Sequence, residues 1–329
     1  MLMNALRMLM FSLFLVAFLP LFMAGMVGFM SRLKTRNRGI TATAYEPLFS
    51  RLIFHYAGTR DDRAAVRLAP HLPALSPSIE WLTIGTLGLA ARLSGYQGSI
   101  FSYPGARPSS PVLLMSHRTA FFDEALASAV DPTGPHPAQQ VVFLGAGWDT
   151  RAYGALRDRP VRVFEVDTPA TQGAKTQALD RAGIDASHVT FVETDFGQTS
   201  WFDALLVRGF DPALPTFILW EGVTMYLDEE TVQTTLRTVS GLAVGSRIAF
   251  DTMSLEYFQG FFGQYMHLMI KGFYGESWQF FMSTRAPARK QASDFIASQG
   301  LALAAYEPMG EERGKSVPLG GFTLAERSG

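Results

Sequence analysis

Three regimes of hydrophobic patterning follow one another along the chain. The first is a continuous apolar run, since Met8 to Met30 holds 23 residues without a charge, many of them Leu, Phe and Met. At about 1.5 Å per residue this makes roughly 34 Å of helix, enough for a bilayer core of about 30 Å. Residues 41–135 form the second regime, with no period-two alternation and a mostly helical spacing. Within it Leu72–Trp81 is a proline-punctuated joint, and Leu82–Leu93 is apolar but short and glycine-containing, so it reads as core. Ser116–Val130 reads as an amphipathic helix, and the breakers of Asp131–Pro137 close the region.

The third regime begins at residue 139, where short apolar runs alternate with helical spacings. The pattern predicts strands at 141–145, 161–166, 189–194, 215–220 and 246–252, with helices near 149–157, 168–182, 199–209 and 228–240. A helix over 288–299 and strands at 301–307 and 320–326 complete it, the last two as a hairpin closing the sheet at its edge. The fold class expected is α/β, a Rossmann-like sheet that is mostly parallel with an antiparallel edge strand. A helical N-terminal region and one N-terminal transmembrane helix precede it. The boundaries fall at 1–38 for the anchor and its basic flank, 39–135 for the helical region and 136–329 for the sheet domain.

Residues 254–286 interrupt the alternation. Ten aromatics lie between Tyr257 and Phe281, accompanied by Met266, Met269 and Met282. Such an insertion is a lid over an apolar ligand, a surface pressed on a bilayer, or a helical pair packed on the sheet.

Composition narrows the function classes. Of 329 residues 48% are hydrophobic and 17% charged, which argues against disorder and leaves a membrane link open. A net charge of −1 argues against a nucleic-acid partner. The chain has no cysteine, so disulfides, thiolate metal sites and cysteine nucleophiles are excluded. Arg32, Lys34, Arg36 and Arg38 follow the apolar run and only Arg7 precedes it, which places the C-terminal bulk in the cytoplasm. A cleaved signal peptide fits less well, because the run is long and basic residues follow it instead of an A-x-A site. Pro20 lies mid-span, and Ala24 with Gly28 makes a small-xxx-small pair of the kind used in helix packing.

Chemistry concentrates at Val141–Thr150. Val141 to Leu144 reads as a buried strand, and Gly145 and Gly147 follow where that strand hands over to a helix, the place where open α/β sheets bind nucleotide-like ligands. A dinucleotide site wants a third glycine, and Thr150 stands there instead. A class I methyltransferase needs only the first part of that loop, with acidic residues ending strands two and three and a polar residue ending strand four. Asp167, Asp195 and Glu221 fill those places in order, Asp167 lying 22 residues after Gly145. The six histidines show no metal-ligand spacing, so no metal is expected, and neither a G-x-S-x-G elbow nor a Walker loop occurs.

Leu144-Gly-Ala-Gly-Trp-Asp-Thr-Arg151, Phe164-Glu-Val-Asp-Thr-Pro169 with Lys175, Asp195-Phe196 and Glu221-Gly-Val-Thr-Met-Tyr-Leu227 together resemble the leucine carboxyl methyltransferase-like family, nearest its bacterial branch. His117-Arg-Thr-Ala-Phe-Phe-Asp123 resembles a helix of the same branch. The resemblance covers about residues 112–253 and implies S-adenosyl-L-methionine as cofactor. It implies that Arg118 holds the methionine carboxylate, that Gly145, Ala146 and Gly147 pass close to the methionine part, and that Asp167 accepts the ribose hydroxyls. It further implies that Asp195 bonds the adenine amino group beside Phe196, that Glu221 lies near the α-amino group, and that Tyr226 lines the acceptor side as the catalytic candidate. Glu165 shares the strand face of Asp167 and stands behind it. A carboxylate acceptor needs no base, so catalysis is positioning and desolvation; a hydroxyl acceptor needs one, and His117, His188 and His267 carry no supporting motif.

The expected protein is a membrane-anchored O-methyltransferase facing the cytoplasm, single-pass, with a lipophilic small-molecule acceptor. A homo-oligomer is left open. Protein carboxyl methylation, an NAD-dependent oxidoreductase and a non-catalytic membrane scaffold are the alternatives.

Overall fold

The computed structural model describes residues 2–37, 39–98, 101–105, 114–194, 200–274, 277–311 and 317–329. The helices in chain order are α1 (Leu2–Arg36), α2 (Tyr45–Ala57), α3 (Arg63–Leu68), α4 (Pro77–Glu80), α5 (Thr86–Ser94), α6 (Leu114–Ala129) and α7 (Pro169–Arg181). They continue as α8 (Trp201–Val207), α9 (Glu229–Ser240), α10 (Leu255–Gln259), α11 (Phe261–Tyr274) and α12 (Ala288–Ser298). The strands are β1 (Gln140–Leu144), β2 (Arg162–Asp167), β3 (Val189–Glu193), β4 (Thr216–Trp220), β5 (Arg247–Ser254), β6 (Phe281–Met282), β7 (Ala302–Pro308) and β8 (Gly320–Glu326). Two compact units emerge. One comprises Met1–Ala106, Gly147–Arg157 and Ala170–Ala186; the other comprises Arg107–Ala146, Asp158–Pro169 and Ser187–Gly329.

The second unit holds the sheet, in the order β3-β2-β1-β4-β5-β8-β7 with β6 beside β5. β1 to β5 run parallel, and β8 enters antiparallel against β5. The C-terminal hairpin closes the edge as expected, with β8 inserted between β5 and β7. The sheet is thus mostly parallel, with β8 and β7 antiparallel at one edge. Period-two alternation divides each strand between two faces. Val142, Leu144, Ile218, Trp220, Ile248 and Phe250 enter one apolar core, which α8, α9 and α12 complete through Leu205, Leu236 and Ile296. Ala249 and Asp251 therefore point the other way, and α6 packs against β4, β5 and β8. Helix starts follow their capping residues: Ser200, Asp228 and Ser254 accept from Asp203, Thr231 and Tyr257 N–H.

The first unit is built on α1. One face of α1 buries Phe11, Phe29 and Leu33. Phe11 stacks on Tyr96 at 4.9 Å, and Phe29 meets the Tyr45 and Phe49 rings at 5.5 and 5.2 Å. Gly25 lies so close to the chain after α4 that a Cβ there would stand 2.8 Å from Leu82 and Thr83 side-chain atoms; at Gly28 it would meet Ile79 at 3.2 Å. The small residues of the packed face are thus Gly25 and Gly28, while Ala24 is exposed. Leu82–Leu93 packs on α1 through Thr83, Ile84 and Ala90 but leaves Leu89 and Leu93 exposed.

A buried ion cluster organises the rest of this unit. Arg51 of α2 reaches Asp149 Oδ2 at 3.5 Å and Asp62 Oδ2 at 3.7 Å, and donates to the Trp148 carbonyl at 2.8 Å. Arg151 pairs with the same Asp149 oxygen at 2.5 Å, and Thr150 Oγ1 donates to Asp62 at 3.0 Å. Asp62 also caps α3 by accepting from Ala65 N–H at 3.0 Å and pairs with Arg60 at 2.6 Å. The helix expected over 149–157 does not form. A single 3-10 turn, Arg151–Tyr153, stands there. Asp149 accepts the Arg151 N–H and Thr150 is turned to Asp62, so both side chains hold the start of the segment out of helix. Gly154, at φ −119° and ψ −83°, ends the turn.

Burial by itself would raise the Asp149 pKa, but the Arg151 and Arg51 guanidiniums hold it well below the usual carboxylate range. A depressed folded-state value contributes stability above the unfolded Asp pKa, and that contribution is lost as pH falls through the folded one. Replacing Arg51 by Met should therefore destabilise the protein by about 3 kcal/mol at neutral pH. It should also move the acid-unfolding midpoint to higher pH. Urea melts and an acid titration followed by circular dichroism measure both.

Candidate functional site

The site is assembled at the C-terminal ends of β1, β2, β4 and β5, where the backbone must leave the sheet. After Leu144 the chain turns at Gly145, whose φ is +67°. The N–H groups of Gly145 and Ala146 both donate to Val166 O, at 2.9 and 3.1 Å, so the turn folds back on the end of β2. A Cβ on Gly145 would stand 2.5 Å from Val223 Cγ2, so the segment after β4 closes over the turn. Packing as well as ligand approach therefore demands glycine there. Gly147, at φ +43°, opens the Gly147–Arg157 stretch of the other unit.

Asp167 ends β2 and is 9% exposed. Its carboxylate accepts the Thr168 N–H at 2.7 Å, and its carbonyl accepts Thr194 N–H at 2.9 Å, which fixes the neighbouring end of β3. Glu165 is buried on the same strand. Asp195 and Phe196 lie outside the described residues. Lys175 belongs to α7, with its ammonium 5.5 Å over the Tyr153 ring, and it serves the Asp149 cluster.

Arg118 is the centre of charge at the β4 and β5 ends. Its Nε lies 3.0 Å from Glu221 Oε1 and 3.4 Å from Asp251 Oδ2. Asp251 Oδ1 in turn accepts the Gly222 N–H at 2.7 Å. Gly222 has φ +74°, and a Cβ there would lie 2.1 Å from Arg118 Nη2, so the guanidinium rests on that glycine. Thr224 Oγ1 donates to the Asp251 carbonyl. Burial raises the Asp251 pKa more than Arg118 and the Gly222 N–H lower it, and Glu221 adds to the rise. Two carboxylates thus share one guanidinium in a desolvated corner, which favours a cationic ligand.

Sequence reading paired Arg118 with this rim through a family resemblance and placed Glu221 there; Asp251 it missed. A signal existed. Ile248 and Phe250 set the core face of β5, so a carboxylate at 251 must face the α6 side, in a strand otherwise mostly apolar. His117, beside Arg118, is buried with Nε2 2.6 Å from Glu307 Oε2 and its ring edge-on to Phe322 at 4.8 Å. It fastens α6 to β7 and β8.

Tyr226 ends a 3-10 turn, Thr224–Tyr226, and is half-buried. Gln279 clasps this turn, its N–H donating to Met225 O at 2.7 Å and its side-chain amide to Tyr226 O at 2.9 Å. The aromatic insertion thereby returns to this turn. Phe258 lies 4.1 Å from Phe281, and Glu256 accepts from Ser283 Oγ at 2.6 Å and Thr284 N–H at 3.0 Å. Burial and Glu256 push the Tyr306 hydroxyl up to about 12. α11 presents Phe261, Tyr265 and Leu268, spaced i, i+4, i+7, to the outside.

The family model described as leucine carboxyl methyltransferase matches residues 104–240. A protein of Saccharopolyspora erythraea named "Putative S-adenosyl-L-methionine-dependent methyltransferase" is 39% identical over 43% of this chain and 48% of its own length. A Streptomyces coelicolor protein of the same description is 32% identical over 53% of this chain and 72% of its own length. The chain spans just under half the length of several other curated relatives it matches. Among solved structures it is similar to magnesium protoporphyrin IX methyltransferase from Synechocystis, at 14% identity, 68% of this chain, 90% of that chain and a TM-score of 0.43.

The Gly145–Val223 contact yields a test of the turn. Gly145→Ala should cost well over 1 kcal/mol, because it adds the steric clash to about 1–2 kcal/mol of left-handed backbone strain. Adding Val223→Ala should recover the clash but not the strain. Thermal unfolding of the two singles and the double measures the coupling, which should be clearly favourable.

Proposed function

The chain belongs to the leucine carboxyl methyltransferase family of S-adenosylmethionine-dependent methyltransferases, and on that premise we propose that it is an O-methyltransferase attached to a membrane, acting on a carboxylate or hydroxyl of a lipophilic small molecule. The observation that carries the reading is the Arg118–Glu221–Asp251 cluster resting on Gly222 at the rim shared with Gly145 and Asp167.

The rim fits such a cofactor on two counts. Glycines with positive φ at 145 and 222 let the chain turn sharply where strands end and add no side chain of their own to the rim. The side chains supply one guanidinium for a carboxylate, two carboxylates for cationic groups and Asp167 for a diol. When bound, the cofactor supplies an activated methyl group on a sulfonium. Arg118, Glu221 and Asp251 would hold its amino-acid end; Asp167, with Asp195 and Phe196, its nucleoside; and Gly145, Ala146 and Gly147 would leave the passage between them. Because the acidic corner favours positive charge, it would hold the cationic cofactor more tightly than the product, which lacks the sulfonium charge. Tyr226, carried on the clasped turn, would line the acceptor side.

Two features support the acceptor class. α1 is long and apolar enough to cross a membrane. α11 turns Phe261, Tyr265 and Leu268 outward. An attached enzyme meets a lipophilic acceptor without the cost of about 0.8 kcal/mol per CH₂ that transfer into water carries. The family description favours a carboxylate, which needs positioning and exclusion of water but no base. The basic flank of α1 favours the cytoplasmic side for the catalytic part.

Turnover of methyl-labelled cofactor is expected with fatty or isoprenoid acids; methylation of soluble phenols alone would overturn the acceptor assignment. Asp167→Ala should abolish cofactor binding in calorimetry. Asp251→Asn keeps an acceptor for the Gly222 N–H and removes a charge, so affinity for S-adenosylmethionine should fall about tenfold while that for S-adenosylhomocysteine changes less. A cationic ligand favours ionised Asp251. Cofactor affinity of the unsubstituted protein should therefore rise with pH above the ordinary Asp pKa, and the Asn variant should lose that slope.

A further inference from the structure

A helix like α1 can meet a bilayer in two ways, across it or along its surface, and the packing of the first unit distinguishes them. α1 has a protein side over nearly its whole apolar length. At one end Arg32 donates to the Leu75 carbonyl; at the other Arg7 packs on Gly95, where a Cβ would lie 3.4 Å from its Nε. Between them Gly28 faces Ile79 and Gly25 faces Leu82 and Thr83, so the chain from 75 to 95 runs antiparallel along α1. α2 does the same. Tyr45 and Phe49 meet Phe29, and Ile53 and Ala57 join the cluster of Phe11, Phe14 and Phe18. Arg51, between these two contacts on α2, therefore stands beside the middle of the apolar run. There it holds Asp62 and Asp149 in the buried ion cluster.

Were α1 to cross the bilayer, that ion cluster, α2 and α5 would have to enter the hydrocarbon with it, at the depth where charge is most costly. The other side of α1 asks for lipid nonetheless. Leu6, Leu9, Leu13, Val16, Met23 and Val27 form one stripe there and are each more than half exposed, Val16 at 70%. The stripe runs for about 32 Å. Its ends carry exposed Arg7, Lys34 and Arg36, and α1 contains no acidic residue.

From this we infer that α1 lies in the plane of the membrane interface, its stripe in the acyl layer and its basic ends on anionic headgroups. α2 and α5 take the place of the polar face that such helices ordinarily carry. The inference rests on the membrane half of the reading above and replaces a single-pass crossing with attachment to one leaflet.

Because the chain has no native cysteine, single cysteines report sidedness without background. Asn4→Cys, Ser31→Cys and Glu230→Cys, all at exposed positions, would be made in the full chain and assayed in sealed vesicles with a membrane-impermeant maleimide. The expected result is labelling of all three from the same side. Protection of Asn4→Cys until detergent is added, with the other two labelled, means a crossing and overturns the inference while leaving membrane attachment intact. Val16→Cys carrying an environment-sensitive dye should shift to the blue on vesicles of phosphatidylcholine and phosphatidylglycerol, and Val16→Glu should weaken flotation with them by about tenfold or more. A blue shift without vesicles, at the mass of a dimer, would assign the stripe to a second copy and overturn the inference. Failure to float at all would sink membrane attachment as well; calorimetric cofactor binding, read on the same protein, keeps that failure separate from the methyltransferase assignment.

Discussion

The candidate site hangs on one guanidinium placed between two carboxylates. Arg118 is supplied by α6, Glu221 by the end of β4 and Asp251 by β5, so one guanidinium with two ionic contacts joins three elements distant in sequence. Gly222 belongs to the same arrangement. Its N–H is taken by Asp251, and the hydrogen in place of a side chain makes room for the guanidinium. His117, one residue away, binds Glu307 and so sets the position of α6 against the edge hairpin. The charge balance of this corner is acidic, which suits a cofactor whose net charge is positive and whose product has lost that charge.

The first unit shows a different use of buried charge. Arg51, Asp62, Asp149 and Arg151 pair among themselves and with nearby backbone. They occupy the hydrogen-bonding groups of 148–151 and keep that segment from becoming a helix. Such clusters add little stability compared with an apolar core of the same shape, but removing one partner is costly.

Much of this was legible along the chain. Apart from the two-residue β6, which lies inside the insertion and gave no strand signal, the strands of the sheet were read within one or two residues, because the central ones are buried on both faces and give an unbroken apolar run. Gly145, Asp167 and Glu221 each suit an ordinary turn or cap, and they were legible only together, as strand ends in the order of a family resemblance. Less visible was anything set by a partner far off in sequence. Periodicity over 149–157 favoured a helix, and only the distant Arg51 and Asp62 show why a 3-10 turn forms. Asp251 belonged to no motif, and its place beside Arg118 appears only once α6 packs on β5. Ala24 and Gly28 looked like the packing pair, whereas Gly25 is the closer fit.

The sequence by itself determined the α/β alternation, the rim position of Gly145, Asp167 and Glu221, the family, and the presence of a helix long and apolar enough for a membrane. These depend on local period and on motifs whose parts lie close together in the chain. Tertiary structure decided which carboxylates share Arg118, why glycine is required at 145 and 222, and which face of α1 is covered. Each of those is a contact between segments dozens of residues apart, and hydrophobic period carries no record of which distant segment fills a given face.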